Sequence, residues 1–134
     1  MTLEKLRPEI RRAVEAAQEK QAVDITVLKL AGGAFAEYFL LCSGHSQPQI
    51  QAIGEAIEER LGREGGRLAR REGKLGAEWV LLDYGDFVVH IFSERARQYY
   101  DLERLWRTAE RLEFPAPERP FEPRGESDSG ATQP

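Results

Sequence analysis

Cysteine is almost absent. Cys42 is the only one in 134 residues, so neither a disulfide framework nor a cysteine zinc cluster can form within one chain, and a reducing compartment is predicted. Histidine is nearly as scarce. His45 and His90 have no close acidic-His spacing, so no metal site of a recognised type is predicted, and no cofactor. No apolar run reaches the roughly 18 residues that a membrane span needs. The opening stretch Met1–Glu9 lacks the apolar core of a secretory signal, and a cytoplasmic location is expected. An excess of positive charge is missing too. Nineteen Lys and Arg stand against 23 Asp and Glu, a net charge of −4. That balance disfavours broad contact with a nucleic-acid backbone and suits a basic protein partner.

What is present fits a soluble globular chain: 41% hydrophobic and 31% charged residues. The length supports one domain with a modest core. Between Pro115 and Pro134 lie five of the seven prolines and almost no aliphatic side chains. Such a stretch cannot bury enough apolar area to offset its ordering entropy, so residues 115–134 are expected to be a disordered tail, with Phe121 its one anchor candidate. The domain is therefore residues 1–114, and it contains no internal repeat.

Leu3, Leu6, Ile10, Val14 and Ala17 follow helical spacing and predict a helix ending near Gln21. Pro8 either takes its first position or separates an initial turn at residues 2–7. Strands are predicted over Val23–Leu30 and Tyr38–Ser43. In the second, both alternating sets are apolar, as a central covered strand requires. Ser46 and Gln49 form a capping-box pattern ahead of the stripe Ile50, Ile53, Ile57 and Leu61, and Gly62, Gly65 and Gly66 end that helix. The charged stretch Arg67–Glu72 reads as an edge strand. Glu78–Asp83 and Asp86–Phe92 read as a hairpin turning at Tyr84-Gly85. Ser93 caps a short helix, Glu94–Tyr100, and Asp101 a last one, Leu102–Leu112. The order αββαβββαα is a mixed α/β sheet covered by helices.

A two-residue turn at Tyr84-Gly85 would place Asp83 opposite Asp86 and Trp79 opposite His90. Trp79, Leu81, Asp83, Asp86, Val88 and His90 then share one face, and Val80, Leu82, Phe87, Val89 and Ile91 share the other. The second face is core. The first combines an indole, an imidazole and two carboxylates that repel each other. Either those carboxylates bond turn amides, or they await a cation from a partner. Trp79 is either core or a binding anchor. Ser43-Gly44-His45-Ser46 leads into a helix N-terminus, where a phosphate could sit, but the serine already has a capping task. Metal-dependent nucleotidyl or phosphoryl transfer would need converging carboxylates, and no third acid joins Asp83 and Asp86. Cys42 lies on a covered strand without a partner base. No enzyme activity is expected; a transferase and a dimeric protein-binding regulatory module are the alternative readings.

Three blocks, Trp79-Val-Leu-Leu-Asp-Tyr-Gly-Asp86, Val88-Val-His-Ile-Phe92 and Tyr99-Tyr-Asp-Leu-Glu-Arg-Leu-Trp106, resemble the signature of the Iojap family of ribosomal silencing factors (RsfS). Glu37-Tyr38-Phe39, the loop Ser43–Ser46 and Arg71-Glu72-Gly73 fit the same pattern in the same order. The resemblance covers residues 3–113. It departs at Glu37, Lys29 and His45, where the family more often has Asp, an acid and Thr. It implies a single small α/β/α sandwich, similar to nucleotidyltransferases without their catalytic residues. It also implies a non-enzymatic protein that binds the large ribosomal subunit at protein L-fourteen, blocks joining of the small subunit and represses translation when nutrients are short. Direct nucleic-acid contact would be small and a homodimer is implied as well. The partner-binding set is then Trp79, Leu81, Leu82, Asp83, Tyr84, Asp86, His90, Tyr99 and Tyr100. Leu102, Leu105 and Trp106 would pack the last helix on the core.

Overall fold

The computed structural model describes residues 5–30, 36–73 and 76–117. Helix α1 (Pro8–Glu19) starts with Pro8 in its first turn, where the missing N–H costs nothing, and buries Ile10, Ala13, Val14 and Ala17. Helix α2 (Gln47–Gly65) begins where the Ser46 hydroxyl accepts the Gln49 N–H at 3.2 Å. The Gln49 side chain reaches back one residue further than a capping box requires and accepts the His45 N–H at 2.6 Å. Gly66, at φ +66°, ends the helix in the left-handed region that glycine enters without strain.

Six strands form one sheet: β1 (Val23–Lys29), β2 (Tyr38–Gly44), β3 (Arg70–Glu72), β4 (Trp79–Asp83), β5 (Phe87–Ser93) and β6 (Glu110–Glu113), in the order β3-β4-β5-β2-β1-β6. Among the described strands only β2 and β5 run parallel, joined by the crossover through α2. The expected mixed α/β sheet is the fold observed. Central β2 is buried from Phe39 through Gly44 and sends its alternate side chains into two cores. Ile10, Val14, Ile25, Leu40, Ile53, Ile57, Val80, Leu82, Val89 and Ile91 fill the layer under α1 and α2. Phe39, Leu41 and Phe92 meet Ala96 of α3 (Glu94–Tyr100) on the opposite face, with Trp79 and Trp106 at its border.

The C-terminal part differs from expectation. The helix expected over Leu102–Leu112 is a single turn, α4 (Leu102–Leu105), followed by β6 on the free edge of β1. Glu110-Arg-Leu-Glu113 are fair helix formers, but tertiary pairing outweighs that weak local preference. Leu112 and Phe114 add apolar contact to the core, and the Phe114 N–H donates to the Ile25 carbonyl at 3.0 Å. Trp106 packs edge-on against Phe39, with ring centroids 5.9 Å apart, and Leu102 lies beside it, as anticipated. Leu105 does not join them and is 72% exposed. Phe121 and most of the Pro-rich stretch lie outside the described residues.

The hairpin is shifted by two residues from the expected register. Asp83 pairs with Val88, Leu81 with His90 and Trp79 with Phe92. The Tyr84 N–H bonds the Phe87 carbonyl at 3.0 Å, so the turn is Gly85-Asp86, with Gly85 at φ +91° as the first residue of a tight hairpin turn requires. A shift of two keeps every strand side chain on its expected face. It removes the opposition of Asp83 and Asp86. Tyr84 gains a stack on Phe87 at 4.9 Å, and Asp86 moves off the strand.

Candidate functional site

On the face away from α1 and α2, strands β4 and β5 present Trp79, Leu81 and Asp83 beside Val88, His90 and Phe92. Trp79 is half-buried. Its indole N–H donates to His90 Nδ1 at 3.1 Å, and its ring lies 5.1 Å from Phe92 and 4.5 Å from Tyr100. His90 is a buried histidine, 4% exposed, with Phe39 edge-on at 4.6 Å. Burial pushes its pKa down to about 4, so the ring is neutral. Accepting at Nδ1 puts the proton on Nε2, and that atom has no hydrogen-bond partner among the described residues. The indole is thus held between aromatic rings and a fixed acceptor.

Ser93 accepts the Ala96 N–H at 3.0 Å and starts α3, which carries Tyr99 and Tyr100 to the same side. Tyr99 is 79% exposed and stands perpendicular to Tyr100, with centroids 5.0 Å apart. Glu78 receives both Arg95 and the Ser93 hydroxyl, and the Arg95 hydrogen bond, then that of Ser93, holds its carboxyl below the usual range. Trp79, Glu78, Arg95, Tyr99 and Tyr100 line an open groove of about 450 Å³. Glu78 and Arg95 were not foreseen. Their signal was the acid just ahead of β4 and the basic residue two places after a capping serine.

The two carboxylates part company. Asp83 accepts the Gly85 N–H at 2.8 Å and stays partly exposed, with Arg70 Nη2 at 3.7 Å. Asp86 is held by Arg7 and by Arg67 Nη2 at 2.9 Å, and Glu9 accepts from Arg67 at 2.7 Å. Burial works to raise the Asp86 pKa, but the hydrogen bonds of Arg67 and Arg7 outweigh it and hold the carboxyl below its usual range. Asp86 is therefore neutralised from within and offers a partner no free charge. Three other members of the expected set are also not surface groups. Leu82 is fully buried in the α1–α2 core because its face of β4 points there. Tyr84 is buried on Phe87 with the Arg67 guanidinium 5.8 Å over its ring, and its pKa is pushed up to about 12, chiefly by burial. His90 supports Trp79 from below. The residues brought to one accessible face are Trp79, Leu81, Asp83, Tyr99 and Tyr100.

Among the described residues, no three His, Cys, Asp or Glu side chains gather as a metal site would require. Cys42 is fully buried, and burial pushes its thiol up to about 12. The fold and the site together define a small mixed α/β protein whose accessible chemistry is an aromatic surface fixed by hydrogen bonds. A family model described as "Ribosomal silencing factor during starvation" matches residues 3–133, and the chain belongs to that family.

The ribosomal silencing factor RsfS of Halalkalibacterium halodurans is 40% identical over 103 residues, covering 76% of this chain and 88% of that protein. The RsfS of Bacillus subtilis is 43% identical over 95 residues, 70% of this chain and 80% of that one. The chloroplastic Iojap protein of Arabidopsis thaliana is 33% identical over 100 residues, which cover only 42% of its longer chain. A Chromobacterium violaceum crystal structure superposes with a TM-score of 0.71 at 27% identity, covering 90% of this chain and 96% of that one. One from Bacillus halodurans gives 0.66 at 38% identity, covering 78% and 96%.

Proposed function

We propose that this protein binds the large ribosomal subunit through ribosomal protein L-fourteen and, once bound, sterically blocks joining of the small subunit. Translation would fall as a result when nutrients are limiting. The protein would act in the cytoplasm, as a homodimer when free, and without catalysis. The observation that carries this reading is the pinned Trp79 indole, flanked by exposed Tyr99 and half-exposed Tyr100. Tryptophan and tyrosine offer large rigid contact areas at small entropic cost, which is why they dominate interface energetics. Asp83, beside that aromatic surface, supplies an acid for a basic ribosomal protein. The net charge of −4 favours the same partner over bare RNA.

Sucrose-gradient sedimentation of purified subunits tests the reading. The protein should travel with the large subunit, and joined ribosomes should decrease as it is added. Partition with the small subunit, or retention at the top of the gradient, would refute it.

A further inference from the structure

The corner between α3 and α4 has a charge pattern found nowhere else among the described residues. Asp101 takes φ +49° and turns the chain, leaving Tyr99 79% and Leu105 72% exposed. A cleft of about 540 Å³ lies here, lined by Tyr99, Tyr100, Asp101, Arg104, Leu105 and Arg107. Ten of the described arginines lie within 4.0 Å of a carboxylate. Arg104 and Arg107 do not, and both are exposed. Asp101 is the one carboxylate lining the cleft, its side chain makes no cap bond, and two guanidinium groups outnumber it.

From this juxtaposition we infer that the α3–α4 corner is a contact surface for RNA, with Arg104 and Arg107 on backbone phosphates and Tyr99 stacked on an exposed base. The inference rests on the ribosomal reading above and extends that surface by a short arm. In an acidic protein that pairs ten of its described arginines with its own carboxylates, two guanidinium groups lining one cleft without such a partner are available to an anion from outside. A planar guanidinium matches a phosphate through paired N–H donors. An exposed tyrosine ring is the platform on which an unpaired base stacks. An acidic peptide could satisfy the arginines but would leave the Tyr99 face without a flat partner. Tyr100 belongs to both the groove beside Trp79 and this cleft, so a protein docked at Trp79 would bring flanking ribosomal RNA to the corner. The total RNA contact stays small, as the overall charge demands.

The test compares the full-length protein with an R104Q/R107Q variant, binding each to purified large subunits at a series of salt concentrations. Each phosphate contact adds about 0.7–0.9 to the slope of log affinity against log salt. The wild-type protein should therefore lose about tenfold more affinity than the variant between 50 and 200 mM salt. An R104K/R107K variant should keep the wild-type slope. Against isolated recombinant L-fourteen, wild type and R104Q/R107Q should bind alike. Equal slopes on the subunit overturn the RNA assignment alone. A loss of equal size against isolated L-fourteen also overturns it, and assigns the corner to an acidic protein segment. If the wild-type protein does not bind the subunit at all, the ribosomal reading falls and takes this inference with it.

Discussion

Acidification should destabilise this protein through His90 well before its carboxylates titrate. An unfolded histidine protonates near 6.5, and burial brings His90 down to about 4 in the folded chain. Between those values the unfolded state holds a proton that the folded state lacks. The contribution of the neutral ring is therefore complete above pH 6.5, declines as the pH falls toward 4, and is exhausted below that. A difference of about 2.5 units at 1.36 kcal/mol each comes to roughly 3 kcal/mol, a large part of the 5–15 kcal/mol that holds a typical domain folded. The geometry adds to the penalty. A proton on Nδ1 would abolish the acceptor for the Trp79 N–H, and the phenyl rings around the imidazole offer no counter-charge.

Urea unfolding at pH 7.5, 6.0, 5.0 and 4.5 measures this directly. The wild-type protein should lose about 2.5 kcal/mol more than a His90→Asn variant over that range, because the amide carbonyl can accept from the indole and does not titrate. The variant itself should be less stable at pH 7.5, since asparagine fills less of the space between Phe39 and Phe92. Parallel pH curves for wild type and His90→Asn would refute the reasoning.

Asp83→Lys should weaken binding to the large subunit by tenfold or more, with a melting temperature only a few degrees lower: one turn hydrogen bond of about 1 kcal/mol is lost and Arg70 gains a like-charged neighbour. Wild-type affinity in a binding titration would remove Asp83 from the interface. Asp86→Asn should cost about 1–3 kcal/mol at pH 7, because Arg7 and Arg67 lose their shared carboxylate. Since the folded Asp86 pKa lies below 3.8, that difference should persist above this value and close as the pH falls through the folded pKa; a gap of constant size in acid unfolding curves would contradict it. Gly73→Ala should cost about 2 kcal/mol or more, because φ is +113° and a Cβ would stand 2.9 Å from the Trp79 carbonyl oxygen. An unchanged urea midpoint would show that the β3–β4 connection yields.

The parts of the fold legible in the sequence are those that local chemistry decides. Alternation placed both faces of β2 and the hairpin correctly, and Ser46, Ser93 and Gly66 marked helix ends by hydrogen bonds within a few residues of themselves. What stayed hidden depended on distant partners. β6 exists because β1 has an open edge more than 80 residues away in sequence, and nothing in Glu110–Glu113 announces that. Asp86 looked available because its cations, Arg7 and Arg67, come from the start of α1 and the end of α2. Their convergence on the turn is a product of tertiary packing.

The candidate site divides along the same line. Residue type marked Trp79, and the family resemblance marked Tyr99 and Tyr100, as candidate contact groups, and the fold leaves all three at least partly accessible. Leu82, Tyr84 and His90 stood in the same signature blocks, but a signature does not separate groups that touch a partner from groups that hold those groups in place. His90 shows why the second kind belongs there. It lies diagonally across the hairpin from Trp79, since its direct partner is Leu81, and the indole still reaches it because a shift of two residues leaves both rings on the same face. Moving β4 by one residue would turn Trp79 into the α1–α2 core and expose Val80 and Leu82, and moving β5 by one would do the same to His90, Val89 and Ile91. Register, buried acceptor and exposed indole therefore depend on one another. A substitution at His90 should disturb the surface from beneath, whereas one at Tyr99 should remove contact area and leave the fold as it is.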